Sequence, residues 1–180
     1  TSVSRGLGDV YKRQKYNIKM TYNDQILLKE FEIVKDPRVK ISQADYEDQL
    51  EFLINVRDEV SRANQKIIDI RNIKNNMIFI SEKTRDNTEL QEMINNYLTD
   101  VSEIENNIHM TKNQSRQDPL NYGIRINNRI AFLLADSQRG DYPPTDQSKE
   151  FFIQVKGELD SEVRKFCLLY TSDAADDVAS

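Results

Sequence analysis

A mainly α fold is predicted here: an antiparallel bundle of about four helices, preceded by a β-hairpin. Three features of the sequence point to it. Apolar residues recur at every third or fourth position from 46 to 80, with no Gly or Pro among them. Shorter stretches around 90–108, 124–137 and 146–163 repeat that spacing, separated by segments that carry Pro and Gly. Ahead of them all, Tyr16, Ile18, Met20 and Tyr22 alternate with Asn17, Lys19 and Thr21, the period of a half-buried strand.

The strand leads into Asn23-Asp24, two residues that tolerate left-handed backbone and so favour a turn. A second strand follows in QILLKEFEIV, with Leu27, Phe31 and Ile33 on one face. Residues 15–35 therefore read as a β-hairpin. Isolated hairpins are marginal in water, so this one is expected to belong to a larger sheet.

The helical segment, 36–166, opens on a connector. Pro37 disfavours helix at Asp36, and Ser42 is placed to cap a helix with Asp45 in its first turn. The first helix carries Tyr46, Leu50, Leu53, Val56, Val60, Ala63, Ile67, Ile70, Ile73, Met77 and Ile80 as its stripe. It should span roughly 55–60 Å. SEKTRDNTE is the connection to a second helix striped by Leu90, Ile94, Tyr97, Val101, Ile104 and Ile108. Such spacing suits an antiparallel partner at a shallow crossing angle. Pro119 and Gly123 interrupt the pattern in NQSRQDPLNYG. A third helix is expected over about 124–137, with Ile126, Ile130, Leu133 and Leu134 inward. QRGDYPPT breaks the chain again, and Thr145 caps a fourth helix striped by Phe152, Val155, Leu159 and Val163.

The two ends read differently from the rest. DVYKRQ, ending at Gln14, can be encoded by GATGTGTATAAGAGACAG; the reverse complement of that DNA, read from its second base, gives Cys-Leu-Leu-Tyr-Thr and the start of Ser, matching 167–172. One element read on opposite strands accounts for both ends, and it resembles the transposase end used in sequencing adapters. Residues 1–14 and 167–180 are accordingly expected to be adapter-derived and are set aside. Trimming them leaves 22 basic and 26 acidic residues of the chain's 25 and 30, a net charge of −4. That mild acidity argues against a nucleic-acid surface, which needs a basic patch. Cys167, the one cysteine, falls in the trimmed tail, so disulfides and thiolate zinc sites are not expected between 15 and 166. No apolar run approaches the ~20 residues of a membrane span.

Few residues suggest chemistry. His109 is the only histidine; with no cysteine beside it, a conventional zinc site lacks strong ligands, and a surface position near the end of the second helix is expected. Glu103 and Glu105, two apart, diverge on a helix and do not form a paired-carboxylate site. RGD at 139–141 reads as a turn ahead of Pro143-Pro144. No glycine-rich phosphate loop is present. Neither a cofactor nor a metal site is expected.

SRQDPLNYGIRINNRI is the most individual stretch, unusually polar for a segment between helices. Asp118 and Asn121 are suited to bond neighbouring backbone and lock a corner. Arg116 or Arg125 is a candidate to pair with an acid on another helix. The locked corner is preferred here over a ligand site.

The order DPRV, QDPLNYGIRINNRIA, PTDQSKEFFIQVKGELD resembles the C-terminal region of bacterial sortilin-like proteins, often labelled glycosyl-hydrolase-like or neuraminidase-repeat β-propellers. The similarity spans nearly all of 15–166. KYNIKM fits the last strand of the immunoglobulin-like stretch that precedes the helices in that family. Gly123 stands where the family usually has Pro. The resemblance marks Arg116, Gln117, Asp118, Pro119, Leu120, Asn121, Asn127, Asn128, Pro144 and Thr145 as motif residues, structural rather than catalytic. It implies an exported protein in which the helices accompany a propeller and a sheet that this segment lacks. The hydrolase label concerns the propeller and assigns no activity to these helices.

Three functions are consistent with the residues. The leading one is a non-catalytic C-terminal helical module that packs on its parent sheet or propeller, or mediates association. The second is the border of a glycan-cleaving enzyme's cleft, and the third a stand-alone coiled-coil-like interaction domain.

Overall fold

The structure, a computed structural model, describes residues 15–23, 25–32, 34, 36–115 and 117–176, with side chains to residue 169. Residues 1–14, Asp24, Ile33, Lys35, Arg116 and 177–180 lie outside the described set.

Strand β1 (Lys15–Tyr22) pairs antiparallel with β2 (Gln25–Glu32), from Tyr22↔Gln25 at the turn to Lys15↔Glu32 at the open end. Asn23 takes the left-handed conformation the turn demands, at φ 45°. The register puts Tyr16, Ile18, Met20 and Tyr22 on the same face as Leu27 and Phe31, and the rings of Tyr16 and Phe31 stack at 5.5 Å. Lys15, Asn17, Lys19, Glu30 and Glu32 line the opposite face with Ile26 and Leu28 near the turn. Among the described residues no helix packs against either face. Ile18, Met20, Tyr22 and Leu27 are consequently more than half exposed, which is unusual for large apolar side chains sharing one face.

Helix α1 (Gln43–Lys83) begins where the sequence places it. Ser42 and Asp45 form a reciprocal capping box: the Asp45 amide donates to Ser42 Oγ at 3.2 Å, and the Ser42 amide to Asp45 Oδ2 at 2.7 Å. Its 41 residues extend about 60 Å. Asn87 caps α2 (Thr88–Ile108) by accepting from the Leu90 amide. Gln91 ties the connection closed, donating to the carbonyls of Ser81 and Thr84. A one-turn helix, α3 (Pro119–Tyr122), forms inside the stretch expected to be a break; α4 (Ile126–Ser137) and α5 (Asp146–Asp176) complete the chain.

The four long helices occupy three columns rather than four. α2 runs back along the distal half of α1, where Arg71 reaches Glu105. α4 continues the same direction along the proximal half, ending where Gln49 of α1 meets the carbonyl of Ser137. α2 and α4 are thus two segments of one column, separated by residues 109–125. α5 then runs parallel to α1, as Lys149–Asp48 and Arg62–Asp160 show, and packs on both segments.

Between the columns lies one continuous core, in which Val56, Ile70, Val101, Ile108, Ile130, Val155 and Leu159 are fully or almost fully buried. The expected stripes supply it. Residues outside those stripes join it, among them Phe52, edge-on to Phe152 of α5, and Gln49, whose amide bonds the carbonyls of Ser137 and Gly140 at 2.8 Å each. At its far end the α1 stripe loses cover, and Phe79 and Ile80 are exposed. α5 passes through 166–167 without a break; Phe166 is buried and Leu169 packs against the core edge.

Candidate functional site

The break between α2 and α4 carries a dense set of polar contacts. Its N-terminal border is Glu105, buried to 3% exposure near the end of α2. Arg71 Nε donates to one carboxylate oxygen at 2.7 Å and Lys74 Nζ to the other at 2.9 Å. Burial opposes the charge, but the bonds from Lys74 and Arg71 outweigh it and hold the carboxyl below its ordinary range. Glu103, two positions away, is exposed, as helix geometry requires.

His109 ends α2, its amide donating to the Glu105 carbonyl at 2.8 Å. It is half-buried rather than at the surface, with Nδ1 3.2 Å from the side-chain amide of Asn127 on α4. Burial, then the nearby Arg71 charge, keeps its pKa below the ordinary imidazole value. The contact joins the two segments of the broken column. Sequence spacing gives no hint of it.

Beyond His109 the chain turns outward. The Asp118 carboxylate accepts from the amides of Gln114 and Ser115 and, at 2.7 Å, from the Ser115 hydroxyl. These bonds, the one from the Ser115 hydroxyl foremost, lower its pKa. Pro119 opens α3, where its missing N–H costs nothing, and Gly123 closes it at φ 75° with its amide on the Pro119 carbonyl. Gln117 donates its amide to Ser115 Oγ, and the Asn121 amide reaches the Asp118 carbonyl. Leu120 projects outward at 88% exposure. The locked corner is therefore built by Asp118, with Asn121 contributing backbone.

The motif residues divide into two places. Gln117, Asp118, Pro119, Leu120, Asn121, Asn127 and Asn128 surround the break, whereas Pro144 and Thr145 sit at the start of α5, about 20 Å away along that helix. Pro144 is buried, and Thr145 Oγ1 caps α5 by accepting from the Ser148 amide at 3.1 Å. Arg116 lies outside the described residues. The RGD turn is tied inward: Tyr46 donates to Asp141, and Gly140 lacks the Cβ that would strike the Tyr142 ring at 2.6 Å.

Where the column is broken, a cleft of about 330 Å³ opens between α2, the start of α4 and α5. Asn107, Ile124, Arg125, Ile126, Arg129, Glu158, Ser161 and Glu162 line it. The interhelical ion pair belongs to Arg129, not Arg125: its guanidinium grips both oxygens of Glu158 and lies 5.2 Å from the Phe151 ring centre. Glu162 accepts from Lys165 at 2.7 Å and from Asn107 at 3.3 Å. Arg125 Nε is buried with no hydrogen-bond partner among the described residues; buried side-chain oxygens of Asn113, Asn127 and Asn128 share that condition around the same break. Such a lining can recognise charge and hydrogen-bonding groups. Among the described residues no three His, Cys, Asp or Glu side chains converge as a metal site, and no helix is long and apolar enough to cross a membrane.

Compared with protein-family models, curated proteins and solved structures, the chain finds no match in any of the three.

Proposed function

We propose that this chain is a non-catalytic helical module from the C-terminal region of an exported sortilin-like β-propeller protein, serving structure and association. The observation that carries the reading is the hairpin. Tyr16, Ile18, Met20, Tyr22, Leu27 and Phe31 share one face that no helix covers, while the helices bury their own stripes against one another. The bundle covers most of its stripes itself, whereas the hairpin's apolar face stays open. An apolar sheet face with one exposed side is what a strand pair of a larger sheet would present. The sequence motifs carry the family part of the reading: the hairpin would complete the immunoglobulin-like sheet, and the bundle would hang from it as a rigid strut.

The experiment uses the whole parent protein. Deleting the segment equivalent to 36–166 should lower its melting temperature or dissolve its assembly. Unchanged melting together with an unchanged oligomeric state would refute the proposal.

A further inference from the structure

We propose that the cleft at the helix break is a carboxylate-binding site, with Arg125 as the residue that receives the ligand. The inference does not depend on the structural role proposed above.

Charge accounting within the cleft singles out Arg125. Arg129 is committed to Glu158 through a forked pair, so those two charges cancel. Glu162 is neutralised by Lys165 and further satisfied by Asn107. Arg125 remains: among the described residues it has no ion-pair partner, and its Nε is buried without an acceptor. A guanidinium cannot shed its proton to relieve that position, so only an acceptor can.

Shape and sign then narrow the ligand. The planar fork of a guanidinium matches the two oxygens of a carboxylate. Asn107 and Ser161 add neutral hydrogen-bonding groups to the lining. Glu158 and Glu162 in the same wall disfavour a phosphate, whose whole double charge would sit at Arg125, but tolerate one carboxylate there, any further charge of the ligand remaining in solvent outside the cleft. A volume of about 330 Å³ suits a small organic acid or an acidic side chain from another protein.

The two sources are separated by titrating the isotope-labelled full chain with sodium succinate and, independently, with an amidated tetraglutamate peptide, ionic strength being held constant with sodium chloride. Saturable shifts of the Arg125 side-chain N–H and of the Ile126 and Ser161 amides are expected. Response to succinate assigns a free acid; response to the peptide alone assigns a protein partner. Arg125→Gln should weaken binding at least about tenfold, the loss of one charge-assisted pair. Ser161→Phe, at an exposed position of α5, should fill the cleft and abolish binding while leaving Arg125 in place. It decides the question should Arg125→Gln fail to fold. The proposal is overturned by any of three results: no saturable shift with either probe, binding that survives Ser161→Phe, or inorganic phosphate outcompeting succinate.

Discussion

Glu105, His109 and Asp118 hold the break together, and each is open to a separate test. Replacing Glu105 by Ala strands Lys74 and Arg71 beside a hole. Because Arg71 is half exposed and can regain water, the cost should be about 1–3 kcal/mol, below that of breaking a fully buried pair. Chemical denaturation of both proteins at neutral pH measures it; a change under about 0.5 kcal/mol, the usual range for surface substitutions, would remove Glu105 from the core's polar support. Asp118→Ala should accelerate amide exchange at Gln114 and Ser115, whose N–H groups lose their acceptor. Exchange at those two amides unchanged from wild type would mean that the corner is held by something else.

The same residues set the pH response. His109 has a folded pKa depressed below its ordinary value of 6.5, so the unfolded chain binds the proton more readily. Its contribution to stability is complete above that value and is lost as pH falls through the folded pKa. Glu105 is depressed below 4.5, and its contribution goes in a second, lower window. Wild type should therefore lose more stability between pH 7.5 and 5.5 than His109→Gln does. Equal losses in the two proteins would show that His109 is not the group titrating there.

Helices α1 and α5 show how much local signals decide. Ser42→Ala removes the capping box at α1 and should cost about 1 kcal/mol, readable as a shifted denaturation midpoint. Leu159→Ala, at a site with no exposure where α5 meets the core, should cost about 2–5 kcal/mol through lost burial and a cavity. A smaller effect for Leu159 than for Ser42 would contradict the packing described. Both sites are legible beforehand, since a Ser three residues before an acid and an apolar period of three to four are local patterns. Gln49 and Glu105 are not. Each is polar and charged or amide-bearing in a way that reads as solvent-facing, and each is buried only because a distant segment supplies its partners.

The molecule as a whole has two independent parts. Among the described residues no helix touches the hairpin, so the double substitution Met20→Ser and Leu27→Ser should leave the thermal transition of the bundle in place. A change of several degrees would reveal packing between them. The three-column arrangement also accounts for the long polar insertion at 109–125. The two segments of that column, of 21 and 12 residues against the 41 of α1, are parted by a cut at which the chain leaves after Ile108 and re-enters at Ile126. The cut exposes flanks of α2, α4 and α5 that a continuous helix would have covered, and the cleft is the result.

Much of the design can be read from the order of residues. Helix periods, caps and strand alternation depend on neighbours within a few positions, which is why α1, α2, α4, α5 and both strands fall close to where those patterns place them. Asp118 belongs with them, since its partners lie three and four residues away. The alignment of α2 with α4, the His109–Asn127 contact, the choice of Arg129 over Arg125 for Glu158 and the cleft itself emerge only in three dimensions. They join residues tens of positions apart, and which of several similar side chains meets a given partner is decided by helix phase and crossing, quantities that no local pattern carries.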